Sequence, residues 1–463
     1  MESRSDIPGE IPQPQKSGQI KNSTLILVAF ATAFFPRFFS YFGAPSIIDF
    51  GHFIVIPIVL LIAVLTSRVT DRQRIGVVWE LLIGILLFLI CMTVSALLNQ
   101  AGIINLALQF TFFAEPFMLL AAIAAIPMLG NRLEKFQYWL MSFALINLLL
   151  ALAQSVLIPI GIYPKKGGTD EDAITGVFGG GGGSAANYVS CTVSLYFAIY
   201  FLTSFKQIPL WIRVLPFLGA LYQIQISDSK QVFLALAVGW VILMMTKVEK
   251  PVNLLVYWAG AFIGAIVLGW ILANVESEFL KPYQNWTNRP IWGWDGLAAQ
   301  TKFAVWHIAP PYFKSDLNWL FGLGPGHTVT RLGGWVLNRS SLKNLLLPLG
   351  ATIHPVSLDA WAVIEGTYLP QESTIFFPMF TWIGMWGDLG FVGVAAYIYL
   401  GFITWKRFCV DDFGKFLILS TASFGCILTQ MEEPGHMLTV ACLLALRWQE
   451  YQNKKSLSIR PLA

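Results

Sequence analysis

The chain has little charge. Of its 463 residues only 12% are Asp, Glu, Lys or Arg, while 56% are hydrophobic, and mean hydropathy is +0.64. A soluble surface carries about a quarter charged residues, so most of this chain must face lipid or other apolar helices. The net charge of +4 is mild and scattered, which excludes a nucleic-acid binder. Cysteine is scarce as well. Cys91, Cys191, Cys409, Cys426 and Cys442 sit in or beside apolar runs without zinc or redox spacing. They read as small core residues, with no disulfide framework and no metal site. A cleavable signal peptide is lacking, because residues 1–21 are polar, carry Pro8, Pro12 and Pro14, and read as a disordered tail. No internal repeat is visible, which weighs against a transporter built from two inverted halves.

Long apolar runs fill the remainder. A membrane-crossing helix needs about 20 mainly apolar residues. Runs that meet or approach this length lie at 24–42, 46–66, 76–98, 104–128, 137–160, 186–205, 209–226, 230–246, 253–273, 374–405, 413–430 and 434–448. The expected fold is therefore all-α: a polytopic membrane protein of about 12 transmembrane helices. Lys and Arg crowd cytoplasmic loops. Arg68, Arg72 and Arg74, then Arg132 and Lys135, Lys206, Lys247 and Lys250, Lys406 and Arg407, and finally Arg447, Lys454 and Lys455 fall in alternate connections. The intervening connections hold no basic excess, and two are acidic, with Asp170, Glu171 and Asp172 in one and Glu432 and Glu433 in the other. The alternation predicts both termini in the cytoplasm and residues 274–372 outside. The organisation expected is a tail at 1–23, helices 1–9 over 24–273, a large extracytoplasmic loop at 274–372, helices 10–12 over 373–448, and a cytoplasmic tail at 449–463.

The large loop is unlike the spans. It holds seven of the 17 tryptophans and three of the five histidines. A loop of this length without structure is unusual, so short helices are expected, some lying flat at the interface where Trp is favoured. The following run at 374–405 is too long for one perpendicular crossing and contains Pro378, Gly384, Gly387, Asp388, Gly390 and Gly393. A kinked helix fits, as does a short re-entrant piece followed by a full span, with Asp388 near the break.

Three segments, in order, carry a family likeness: GVFGGGGGSAANY at 176–188, ISDSKQVFLALAVGW at 226–240, and the long loop with FGLGPGH at 321–327 followed by ESTIFFPMFTWIGMWGDLGFVGV at 372–394. Together they resemble the superfamily of O-antigen ligases and Wzy-type O-antigen polymerases. The likeness covers about residues 170–405 in motifs and the whole chain in topology. Lys230 stands where the family has an arginine, and Glu372-Ser373 stands where a His-Asn pair is usual. These departures favour a polymerase or another exopolysaccharide member over a ligase.

The resemblance implies transfer of a glycan from a polyprenyl-diphosphate carrier to an acceptor hydroxyl, in a multi-pass protein of the bacterial inner membrane. No cofactor is implied. The implied partners are the lipid-linked glycan, the bilayer, a chain-length regulator and other polysaccharide assembly proteins. Such chemistry needs cations for the leaving diphosphate, a base near the acceptor and an apolar groove. Candidate cations are Lys230, Arg331, Arg339 and Arg289, with Arg37 at the outer end of the first span. Each also reads as a solvated or snorkelling charge. Candidate bases are Glu372, His354 and His327, although Glu372 equally suits a helix N-cap and a loop histidine is more often structural. Gly180 and Gly181, in the glycine run, and Asn187 offer backbone donors and a close approach, or a simple hinge. Asp388 is costly at membrane depth without a partner, and Glu115-Pro116 reads as a buried polar pair. The competing classes are a ligase-like transferase, a transporter of a small anion or a lipid-linked glycan, and a non-catalytic assembly partner.

Overall fold

The computed structural model describes residues 22–66, 71–165, 169–179, 186–247, 251–277, 281, 284, 296–340, 342–372 and 374–459. Every regular element among the described residues is a helix. The main helices, in chain order, are α1 (Asn22–Phe34), α2 (Pro36–Tyr41), α3 (His52–Thr66), α4 (Arg72–Leu98), α5 (Ile103–Ala125), α6 (Asn131–Leu157), α7 (Ala186–Ser204), α8 (Leu210–Ile226), α9 (Lys230–Met245), α10 (Pro251–Asn274), α11 (Thr381–Phe408), α12 (Asp412–Phe424) and α13 (Pro434–Ile459). Seven stretches are long and apolar enough to cross a membrane, namely Asn22–Tyr41, Ser46–Thr66, Arg72–Leu98, Ile103–Ala125, Asn131–Leu157, Ala186–Ser204 and Thr374–Phe408. The chain is thus an all-α membrane protein. Leu210–Ile226, Lys230–Met245 and Leu255–Ile271 are apolar but shorter.

Helices α5 and α13 form the centre. Every residue from Phe112 to Ala125 and from Met431 to Leu446 is buried. In lipid, apolar contact alone gives little reason for helices to associate, so close packing and interhelical hydrogen bonds carry the cohesion, at about 0.6–2 kcal/mol per polar pair. Gln449 of α13 donates to the carbonyls of Ile123 and Ile126 at 2.8 Å, which closes the open end of α5. Arg74 donates to the Gln449 amide oxygen at 3.1 Å. Asn147 of α6 donates to Ser194 of α7 at 2.8 Å, and Tyr196 pairs with Ser420 of α12 at 2.7 Å.

The two ends of the bundle differ. One gathers surface ion pairs: Glu80 with Arg407, Lys247 with Asp412, and Asp411 with Arg447. The opposite end carries the segment 296–380, built from short helices such as Leu317–Phe321 and Pro355–Glu365. A run of 13 residues in α12 replaces the expected span at 413–430. Just past its end, the first amides of α11 take carbonyls of the following turn: Trp382 N donates to Gly425 O and Thr381 N to Leu428 O, both at 3.2 Å. Helix α13 runs past 448 to Ile459, its polar second half continuing beyond the apolar run. Glu372 lies two residues before the apolar stretch Thr374–Phe408. It ends the short helix Leu369–Glu372, and α11 begins at Thr381 after an extended Phe380.

Helix α11 breaks at Gly390, whose backbone adopts φ 64°, two residues beyond Asp388. The short helix Leu317–Phe321 fills the notch, where a Cβ on Gly390 would overlap the Leu320 carbonyl. Glycine is therefore required there twice over, for conformation and for space.

Candidate functional site

Asp388 organises the end of the bundle that carries the 296–380 segment. Its side chain is fully buried and accepts four hydrogen bonds, from Gly326 N at 2.8 Å and from Thr328 N, Thr328 Oγ1 and Thr330 Oγ1 at 2.7 Å. The GPGHTVT loop thus wraps the carboxylate as a collar. Gly384 and Gly387 let it lie directly on α11, since a Cβ on either would crowd Thr330 or Thr328. With both oxygens occupied, Asp388 has no free face for a substrate. Its work is to hold the loop so that Arg331 follows immediately after Thr330.

Arg331 enters a buried charge cluster. Pro36 separates α1 from α2 by removing a helical amide, and Arg37 follows it. Glu432 and Glu433 come from the turn between α12 and α13, and are 0% and 1% exposed. Glu433 Oε1 pairs with Arg37 Nη2 at 2.6 Å, and its other oxygen pairs with Arg331 Nη1. Glu432 Oε2 accepts the Arg331 backbone N–H at 2.7 Å. Buried charges are tolerated only when paired and hydrogen-bonded, and this pairing is incomplete. Among the described residues, Glu432 Oε1 and Arg37 Nη1 are buried without a hydrogen-bond partner of good geometry. The same holds for Gln109 Nε2, beside Thr330, and for Gln430 Nε2 and His436 Nε2, on or next to the glutamate turn.

The electrostatics are asymmetric. Burial pushes the Glu432 carboxyl up to about 8, with Asp388 adding to the rise and the Arg331 amide opposing it. Burial also pushes the Arg331 guanidinium down, opposed by Glu433, yet an arginine does not lose its proton in a protein. At neutral pH the two guanidinia, one carboxylate and one mostly protonated carboxyl leave a net positive charge. Two half-buried cations, Arg37 with a spare donor, suit a phosphate or diphosphate, and a carboxyl titrating near neutrality suits proton transfer.

An apolar cavity of about 510 Å³ reaches Met431, the residue before Glu432. It lies between α5, α11, α12 and α13, and runs from Trp382 and Met431 down to Trp405 and Thr246.

Of the residues singled out in the sequence, Arg331 alone enters this cluster together with Arg37. His327 is spoken for at both ring nitrogens, by Leu323 O at 2.8 Å and Thr352 Oγ1 at 2.7 Å, and burial lowers its pKa. His354 stacks on it with ring centroids 5.3 Å apart. Its Nδ1 accepts from Val356 N at 3.3 Å, capping a helix, and burial with His327 nearby takes it down to about 4. Both ring nitrogens of His327 and the Nδ1 of His354 are thus engaged within the protein. Lys230 pairs with Asp228 at 2.5 Å. Asn187 donates to Ser227 O at 3.0 Å, which joins the 176–188 and 226–240 segments. Arg339 pairs with Glu365 on the surface and stacks 4.2 Å from the Trp361 ring centroid. Gly180, Gly181 and Arg289 lie outside the described residues, as does the side chain of Glu372. Gly179, the first residue of the glycine run, lies against Tyr41 of α2, and Phe178 fills the space a Cβ on Gly435 would need.

Sequence reasoning treated Glu432 and Glu433 only as markers of sidedness. Their signal was available: two adjacent carboxylates in a short turn between apolar runs, with nothing else in that turn to neutralise them. Among the described residues no group of His, Cys, Asp and Glu is arranged to hold a metal ion. No protein-family model matches the chain, nor does the sequence of any curated protein.

Proposed function

We propose that the protein is a membrane-embedded glycan polymerase. It transfers a polyprenyl-diphosphate-linked glycan to an acceptor sugar hydroxyl on the extracytoplasmic face of a bacterial inner membrane. The alternation of basic connections supports twelve crossings with both termini cytoplasmic and 274–372 outside. The observation that carries the activity is the array of Arg37, Glu433 and Arg331 beside Glu432, with an apolar cavity that reaches the neighbouring Met431.

In this reading the polyprenyl tail enters the cavity at Trp382 and Met431. The diphosphate takes the spare Arg37 Nη1 donor and shares the Arg331 guanidinium. As the bond from the anomeric carbon to the diphosphate oxygen breaks, charge gathers on the leaving group, where two pre-placed cations stabilise it without reorganisation. The acceptor hydroxyl forms the new bond to the anomeric carbon and gives its proton to ionised Glu432. Polyprenyl diphosphate departs as the anion. Glu433 keeps the two arginines apart and aimed, so it is a positioning residue, as is Asp388 through the loop it holds.

A ligase-like transfer to another acceptor uses the same chemistry. The transporter reading draws on one observation: His52 and Glu115 form a buried pair within the helices, at 2.8 Å. The test is transfer in proteoliposomes with a synthetic lipid-diphosphate oligosaccharide. Wild type extends it, and E432Q leaves it unextended while inserting normally. Equal extension by both sinks the reading. Movement of the intact lipid-linked glycan across the vesicle without extension would favour the transporter.

A further inference from the structure

A second cavity, of about 470 Å³, lies between the start of α1 and the start of α6. It is at the opposite end of the bundle from the arginine–glutamate cluster, near the Asn22–Thr66 hydrogen bond. One part of its lining is polar: Ser23, Thr24, Asn131, Arg132 and Lys135. The other is apolar, with Leu27, Val28, Ala31, Trp139 and Phe143 among it. Arg132 and Lys135 are exposed. Neither forms an ion pair with an acid among the described residues, and Glu134, between them in sequence, does not line the cavity. Among the described residues, two cations thus stand over an apolar slot without an acidic partner.

The dimensions decide what fits. Along α6 the lining runs from Asn131 to Phe143, about 18 Å at the helical rise of 1.5 Å per residue. Half of a bilayer's hydrocarbon core is about 15 Å. The slot is as long as one leaflet is deep, with its charges at the headgroup end and exposed Trp139 on the way down. A soluble anion would leave the apolar part empty, and an uncharged lipid would leave the cations unmatched.

We propose that this cavity binds an anionic glycerophospholipid of the bilayer, with its phosphate headgroup between Arg132 and Lys135 and an acyl chain along Leu27, Val28 and Phe143. The site is separate from the transfer site and does not depend on that reading. Native mass spectrometry of the full-length protein tests it, with phosphatidylglycerol and phosphatidylcholine of identical chains offered at equal concentration. Wild type retains phosphatidylglycerol over phosphatidylcholine by roughly tenfold or more, as expected for two basic residues at a headgroup. The R132Q/K135Q variant loses that preference. A31W, which fills the slot and leaves both cations in place, loses the lipid adduct itself. Equal retention of the two lipids by wild type, an undiminished preference in R132Q/K135Q, or an unchanged adduct in folded A31W would each overturn the proposal.

Discussion

Asp388 and Glu432 are two fully buried carboxylates at the same end of one bundle, and they are built in opposite ways. Asp388 accepts four hydrogen bonds. Glu432 accepts one from Arg331 N and leaves its second oxygen without a well-placed donor. A buried polar group that is fully satisfied stabilises a fold. One left short calls for a reason, and a missing substrate is such a reason. The difference separates a carboxylate that shapes the site from one available to act in it.

The comparison can be broken at several points. Removing a cation from the Glu432 side has the largest expected effect on chemistry. R37A or R331A should slow transfer by about 10²–10³-fold, the range for losing a pre-placed donor to a developing oxyanion, with insertion retained. Initial rates in proteoliposomes check this. On the Asp388 side the loss should be in stability. D388A leaves two amides and two hydroxyls buried without their acceptor, at a combined cost of about 3 kcal/mol or more, and should lower the thermal unfolding midpoint in detergent. An unchanged midpoint would mean that the collar does not matter.

Acidity gives a smaller and more selective test. The folded state holds the Glu432 proton up to about 8, against an ordinary carboxyl value of 4.5. The folded state therefore binds a proton that the unfolded chain has released, and stability falls as pH rises between those values. The unfolding midpoint of wild type should drop more between pH 5 and pH 8 than that of E432Q, and wild-type transfer should rise through about pH 8. Parallel midpoints would show that Glu432 titrates normally. The smallest effect belongs to R339A. Its partner Glu365 is half exposed like itself, and exposed pairs contribute about 1 kcal/mol or less. Transfer and midpoint should both stay near wild type.

Much of this was legible in the chain. Apolar runs located the main helices, although α11 starts later than its run, α12 stops at Phe424 and α13 runs on to Ile459. The spacing of Gly384, Gly387 and Gly390 around Asp388 foretold a break in the helix and a carboxylate beside it. Arg331 stood out because it follows the Gly-Pro-Gly turn. The site itself was less legible, because Arg37 and Glu433 come from opposite ends of the sequence and only the packing of α1, α2 and α13 brings them together. The surroundings of the histidines were hidden for a related reason. A ring in a loop looks available, and only its neighbours, Leu323 O, Thr352 and the amide of Val356, reveal that both nitrogens of His327 and the Nδ1 of His354 are engaged.

The central claim is that Arg37 and Arg331 hold a lipid diphosphate. Equilibrium binding of polyprenyl diphosphate to the detergent-purified protein tests it without requiring turnover or knowledge of the sugar. The account predicts that R37A/R331A binds at least about tenfold more weakly than wild type, as expected for losing two charge-assisted contacts, while R339A binds as wild type does. Equal affinity in wild type and a folded R37A/R331A would contradict it.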